Sequence, residues 1–357
     1  MRILYFGTYE RAYPRNAQVI SCLRRAGVEV VEHHVGVWEN DEHKWRAGPL
    51  AALRLARAEG ALLTRRPPDA GDVVLVGYPG HLDLPAARRA ARGRPVVFNA
   101  LVSLADTLVA DRGRFGPSSL AARTLRGIDR YAFRAADLVV ADTEANAAFL
   151  AEVGQLPPHR VAVCLVGAEE RVFHPGWNPQ DPFTCLFVGK LIPLHGIETI
   201  LAAARRVPDI RFRVVGAGQL EHVLAEPPPN VEWIRWVAYE RLAPELHRAG
   251  CALGIFGSSD KAQRVIPNKA FQALACGTPL VTSDTPAARE LLVDGESALL
   301  VPPAEPDALA TALAQLASDR DLGNKIAAGG LAAYRERASE AVLGKQWREL
   351  LERAVAA

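Results

Sequence analysis

The sequence predicts an α/β protein built of two doubly wound parallel-sheet domains facing a cleft, and three observations carry that prediction. The chain has 357 residues of which 49% are hydrophobic, enough for two separate cores rather than one small module. Short apolar or β-branched runs alternate with longer stretches of helical periodicity, the pattern of parallel βαβ units. A stretch rich in turn-formers, residues 173–182, with Pro175, Gly176, Pro179 and Pro182, divides that alternation into two series, because its prolines discourage both helix and central strand.

The first series places strands at 2–8, 28–31, 73–76, 95–98, 138–141 and 161–166. Val73-Val74-Leu75-Val76 is apolar throughout, as expected of a central strand covered by helices on both faces. The second series places strands at 184–188, 212–215, 231–234, 252–256, 280–283 and 298–301. Expected domains are therefore 1–175 and 176–339, followed by a C-terminal amphipathic helix at 340–357. In that helix Val342, Leu343, Trp347, Leu350, Leu351 and Val355 recur near helical spacing between charges, and it is expected to pack back on the first domain. Ligands of such sheets bind at the carboxyl ends of the strands, so the active site should face the cleft.

Composition removes several function classes. The formal net charge is only +2, which gives no overall basic field and no expectation of a nucleic-acid partner. Cys22, Cys164, Cys185, Cys251 and Cys276 are scattered, with no CxxC pair and no His at metal-ligand spacing, so neither a disulfide framework nor a zinc site is expected. Met1 leads directly into Ile3-Leu4-Tyr5-Phe6, and nowhere do 18 apolar residues run together. The expectation is a soluble cytoplasmic protein, at most peripheral at the inner membrane face.

The most informative segment is 264–280. Pro267 is expected in a first helical turn, Gly277 at the helix end, and Pro279 leads into a strand. The helix start offers unpaired amides and a positive dipole end, and Lys269 adds a cation able to follow a phosphate. From these residues alone, a solvated lysine on a structural helix accounts for the pattern equally well.

Further motifs bear on that choice. Ala275-Cys276-Gly277-Thr278-Pro279 closes the helix, and Phe187-Val188-Gly189-Lys190-Leu191 leads to His195-Gly196-Ile197-Glu198 after the first strand of the second series. Arg289-Glu290-Leu291-Leu292, Asp294-Gly295 and Val301-Pro302-Pro303 follow in order. Together they resemble the family 4 glycosyltransferases of the GT-B fold, most strongly over residues 185–320. Tyr13-Pro14-Arg15-Asn16 and the run at 136–143 are similar to the same family less sharply.

The resemblance implies a retaining transferase of polysaccharide biosynthesis whose co-substrate is a nucleoside-diphosphate sugar and whose acceptor is a glycan, a lipid-linked glycan or a small molecule. It implies charge-stabilising roles for Lys190 and Lys269, and donor contacts from Gly189, His195, Arg264, Pro267, Asn268 and Gln272. On the acceptor side it points to Arg15, and Asn99 stands nearest to where the family often has a histidine. Asp106, Asp111 and Arg112 are cleft candidates, or loop caps, from their place just past the strand at 95–98, and Gly7 is first a turn residue whose missing side chain would also admit a phosphate. Two departures stand out. The family's pair of glutamates is replaced by Arg264 and Gln272, so an amide stands where a carboxylate would hold the ribose. His195 stands where the family has a second lysine, and is charged only in part at neutral pH.

Such a site stabilises a leaving diphosphate with cations and helix amides, so no metal and no further cofactor is expected. Asp319-Arg320-Asp321, the one Asp-x-Asp, lies in a charged helical stretch and is expected at the surface. Between Lys44 and Arg66, six basic residues and one acid alternate with Trp45 and several leucines. That segment fits either a solvated helix or contact with an anionic membrane. Two other functions compete with sugar transfer: a nucleotide-sugar 2-epimerase, for which no acid and base constellation is evident, and a catalytically weak partner protein, suggested by Gln272.

Overall fold

The computed structural model describes residues 1–37, 49–68 and 71–357; Lys44, Trp45 and Arg46 of the basic segment lie outside them. The chain forms two compact units, one of residues 1–166 and 340–357, the other of residues 167–339.

The first unit holds β1 (Arg2–Gly7), α1 (Pro14–Arg25), β2 (Glu29–His34), α2 (Pro49–Thr64), β3 (Val73–Val76), α3 (Leu84–Ala91), β4 (Val96–Asn99), α4 (Leu120–Ala135), β5 (Leu138–Ala141), α5 (Glu144–Gly154) and β6 (Val161–Val163). Its six strands are all parallel in the order β2-β1-β3-β4-β5-β6. The helices that follow β2 to β5 run along one face of the sheet, as right-handed crossovers require. Leu62, Ala87, Phe133 and Leu150 from α2, α3, α4 and α5 share one core with Val74, Phe98 and Val139 of the strands.

The opposite face carries α1 and α13 (Glu340–Ala356), the last helix of the chain. Gly344 makes their close crossing possible, since a Cβ there would lie 2.4 Å from the carbonyl oxygen of Cys22. Glu340 accepts from Ser21 Oγ at 3.0 Å, and Trp347 is wholly buried.

The second unit holds β7 (Thr184–Val188), α6 (Ile197–Arg206), β8 (Arg211–Val215), β9 (Val231–Ile234), α7 (Leu242–Arg248), β10 (Cys251–Leu253), α8 (Asp260–Arg264), α9 (Asn268–Cys276), β11 (Leu280–Ser283), α10 (Pro286–Arg289), β12 (Leu299–Val301), α11 (Pro306–Ser318) and α12 (Arg320–Arg337). Its parallel sheet has the order β12-β11-β10-β7-β8-β9. The strand order reverses at β7, so the switch point lies between the carboxyl ends of β7 and β10. All five cysteines are buried, and none is in a disulfide.

The boundary between the units falls at Val166 and Gly167, ahead of the expected division at 175/176. The turn-rich stretch is stitched onto the second unit instead of spanning the gap. Gly176 N–H donates to Cys276 O at 3.2 Å and Asn178 N–H to His247 O at 2.8 Å, while the Trp177 indole N–H donates to Ala249 O at 2.8 Å. Prolines bar helix and central strand, but they leave a segment free to lie against a folded surface.

Two residues expected to meet an acceptor are structural. Arg15 is completely buried; its Nε donates to Asn99 Oδ1 at 3.0 Å and its guanidinium to Leu165 O at 2.8 Å and Cys164 O at 3.2 Å. The same guanidinium lies 5.4 Å from the ring centre of Trp347. Arg15 thus ties α1, the end of β4, the segment after β6 and α13 together, and Asn99 is spent as its acceptor. Gly7 is explained by an internal anion. Asp83 Oδ2 accepts from Thr8 N–H at 2.8 Å and Oδ1 from Thr8 Oγ1 at 3.0 Å, and a Cβ on Gly7 would sit 2.1 Å from Oδ2. The carboxylate of Asp83 fills the space that the turn at Gly7 leaves, in keeping with Gly7 as a turn residue first. Its neighbour Glu59 is pushed up to about 9 by burial and by Asp83, so the two carboxyls share a proton at neutral pH.

Replacing Arg15 with methionine keeps the volume but leaves two carbonyls and Asn99 without their donor. The expected loss is about 3 kcal/mol of unfolding free energy, read from the urea midpoint; a midpoint equal to that of the parent chain would refute the role given to Arg15.

Candidate nucleotide-sugar site

The site is assembled at the switch point of the second sheet by three loops and one helix start. β7 ends at Val188, and Gly189 then turns the chain with φ +156°. A Cβ on Gly189 would lie 2.6 Å from Lys269 Nζ and 3.2 Å from His195 Cε1, so only glycine lets the lysine and the histidine close over this backbone. The loop after β8 supports it from behind. Leu191 N–H donates to Ala217 O at 3.1 Å and Leu220 N–H to Leu191 O at 2.9 Å, and a Cβ on Gly216 would meet Gly189 O at 1.9 Å. Gly216-Ala217-Gly218 is therefore packing for the 189–191 loop, a function that the sequence signals only as a pair of glycines after a strand. From the other side, Phe256 N–H donates to His195 O at 3.1 Å, and Ile192, Leu194, Ile255 and Ala262 form a small apolar cluster beneath.

α9 begins at Asn268 with Pro267 as its N-cap rather than inside its first turn, and no side chain caps it. Pro267 contributes its carbonyl to Ala270 N–H at 2.9 Å, but it has no side-chain acceptor to offer the first amides. Those amides, of Asn268 and Lys269, begin the positive end of the helix. The helix ends at Gly277 in the left-handed region, φ +70°, which explains the Cys-Gly-Thr-Pro sequence at that point.

Lys269 is the unusual group. It is 91% buried by exposure of 9%, its Nζ has no hydrogen-bond partner among the described residues, and it lies 3.7 Å from the ring centre of Phe187. The ring face supplies part of the lost hydration, about 1 to 2 kcal/mol, but no carboxylate balances the charge. Burial accordingly holds the ammonium well below its usual range. A buried cation with spare donors, aimed at a glycine backbone and beside an uncapped helix start, is built to receive an anion from outside.

The other expected residues take distinct places. Lys190 is exposed at the end of β7, and its carbonyl accepts from His195 Nδ1. That bond fixes the proton on Nδ1 and orients the ring, which stands edge-on to Phe187 at 5.8 Å. Gln272, one turn beyond Lys269, is buried and hydrogen-bonds Tyr239, whose phenol burial pushes up. Tyr239 stacks edge-on with Phe173 at 5.4 Å. Sequence reasoning missed this tyrosine, since nothing in its local sequence marks it. Arg264 is the half-buried last residue of α8. Asp106 opens a π-helical turn in the first unit, where its N–H donates to Ser103 Oγ at 3.0 Å. Asp319 caps α12 by accepting from Leu322 N–H at 2.9 Å, and no cluster of metal-ligating side chains occurs among the described residues.

Comparison with known proteins agrees with this geometry. Residues 182–319 match the family described as glycosyl transferases group 1. A D-inositol 3-phosphate glycosyltransferase of Thermobispora bispora is 28% identical over 247 residues, covering 61% of this chain and 57% of that protein. A phosphatidyl-myo-inositol mannosyltransferase of Mycobacterium leprae is 33% identical over 167 residues, 44% of this chain and 43% of that protein. The chain spans about half the length of most of the curated relatives it matches. Among solved structures, sucrose-phosphate synthase from Thermosynechococcus elongatus superposes with a TM-score of 0.76 at 18% identity, covering 99% of both chains. Anabaena HepE in complex with UDP and glucose gives 0.68 at 16% identity, again over 99% of both. The second unit thus carries a domain similar to the group 1 glycosyl transferases over residues 182–319, and the chain has the GT-B fold of these solved structures.

Proposed function

We propose that this protein moves a sugar from a nucleoside-diphosphate donor to an acceptor hydroxyl, with the diphosphate lodged against Lys269 and the open start of α9. The observation that carries the reading is the buried, unpartnered ammonium of Lys269 facing Gly189. As the bond between the anomeric carbon and the diphosphate oxygen breaks, negative charge gathers on the leaving group and the sugar acquires oxocarbenium character. Lys269, the amides of Asn268 and Lys269, and the mobile cation of Lys190 stabilise that charge where it develops. The acceptor oxygen forms the new glycosidic bond, and its proton leaves with the diphosphate.

We further propose retention of configuration and no divalent-metal requirement, the first from the family resemblance and the second because the chain's own cations serve the leaving group. UDP-glucose, named with HepE, is the donor to try first, and UDP the product to test for binding. The inositol-based acceptors named for the curated relatives head the candidates among glycans, lipid-linked glycans and small molecules. Gln272, held by Tyr239, takes the ribose through an amide in place of a carboxylate.

Lys269→Ala should lower kcat/KM at least a hundredfold in a diphosphate-release assay, whereas Arg320→Ala, on the exposed start of α12, should stay within about twofold. EDTA should leave the rate unchanged. Equal losses in the two variants would reject the site, and a parent protein that binds no nucleoside diphosphate in a thermal-shift screen would reject the function.

Lys269 also sets a pH dependence. Its folded pKa lies below the unfolded value of about 10.4, so between the two the unfolded chain holds one more proton. Stability of the ligand-free protein should therefore rise with pH through that window. An arriving diphosphate restores the charged form, so binding within the window should take up a proton. Calorimetry in buffers of different ionisation enthalpy should show this uptake for the parent chain and not for Lys269→Met.

A further inference from the structure

Three neighbouring helices on one face of the first unit are strongly basic although the chain as a whole is nearly neutral; α5, the fourth helix of that face, carries Glu144 and Glu152 instead. α2, α3 and α4 lie side by side on one face of the sheet, and every charged side chain exposed on them is an arginine. Arg54 and Arg57 project from α2, Arg88 and Arg89 from α3, and Arg123, Arg126, Arg130 and Arg134 from α4. The acids of these helices, Glu59 and Asp129, turn inward. Asp129 is completely buried, accepting from Ser103 Oγ at 2.7 Å and from Leu104 and Ala105 N–H at 2.8 and 2.9 Å. Arg88 is paired at the rim with Asp137 at 2.6 Å.

The same layer is where the described surface is most apolar. Leu53 is 48% exposed, Leu63 40%, Leu82 40%, Leu120 78% and Tyr131 52%. Only Trp236, Val293 and Val355 elsewhere among the described residues are large apolar side chains of comparable exposure. Leu120, Thr124, Gly127 and Tyr131 follow one another along the outside of α4, and Arg123, Arg126, Arg130 and Arg134 form a parallel line along one side of them.

We infer that the α2–α3–α4 layer seats the protein on an anionic lipid bilayer. Cations without outward acids match a negative leaflet, and exposed leucines with a tyrosine suit the boundary between headgroups and acyl chains. A polyanion such as nucleic acid would use the arginines but give the leucines no apolar partner, so the combination selects lipid. The surface lies on three helices, not only on the segment from Lys44 to Arg66 that the sequence singles out. The inference stands apart from the donor chemistry, since none of these residues belongs to the Lys269 site.

The test is flotation of the full chain with vesicles of phosphatidylcholine alone or with 30% phosphatidylglycerol, the latter fraction being about that of an anionic leaflet. The expected result is flotation with the anionic vesicles only, weakened by high salt. Each arginine near the surface contributes roughly fivefold, so the variant Arg123→Gln, Arg126→Gln, Arg130→Gln should bind at least tenfold more weakly. Leu120→Ser with Leu53→Ser should weaken binding without changing its salt dependence. All five positions are exposed, and an unchanged melting temperature confirms that the variants fold. Absence of flotation, equal flotation with neutral vesicles, or arginine variants that bind like the parent would overturn the inference. So would leucine variants that bind like the parent while duplex DNA competes for the surface, which would assign it to a polyanion.

Discussion

A positive charge taken out of water and given no counter-charge is the constraint on which the second unit turns. Burying an ammonium costs several kcal/mol unless something offsets it, and in this unit only the face of Phe187 does so. The surrounding features follow from keeping that charge in place. Gly189 leaves room for it, the 216–218 loop braces Gly189, and the turn from Ile192 to Gly196 packs against the strand that precedes α9. Stability is given up locally, and the donors of Lys269 are left desolvated and unspent.

The first unit buries a cation too, and the contrast is instructive. Arg15 has carbonyl and amide acceptors on its donors and an indole beside its plane, so its charge is satisfied internally and holds the fold together. Asp83 plays the matching part for anions, filling the turn after β1 with a carboxylate that belongs to the chain. The same physical devices, a buried charge and a glycine turn at a strand end, thus serve cohesion in one unit, and in the other, under the proposed function, reception. What separates them is whether the partner is part of the polypeptide.

That distinction also marks how far the sequence could be read. All twelve strands lie where apolar runs and turn-formers put them, within a few residues, because burial between two helical layers demands such runs. The meeting of Gly189 with Lys269 was legible for a similar reason, since both lie in short local motifs around two strand ends. Arg15 was misread because its acceptor Leu165 O and the Trp347 ring beside it come from far along the chain, and no local pattern records that they converge. Gly7 was ambiguous until Asp83 was seen to fill its turn, a contact spanning 75 residues. The domain boundary slipped for want of the hydrogen bonds from Gly176 and Asn178, which proline content cannot disclose.

The return of α13 to the first unit has a consequence for biosynthesis. The amino-terminal unit is discontinuous in sequence, and its final helix is translated only after the whole of residues 167–339. While the ribosome is still making the second unit, the first has Arg15 in place but lacks the indole against which it lies, and the side of α1 that meets Gly344 is bare. The usual order, in which the domain synthesised first is finished first, is inverted. The first unit is completed only after the second has been synthesised, and until then the face of α1 that meets α13 is uncovered.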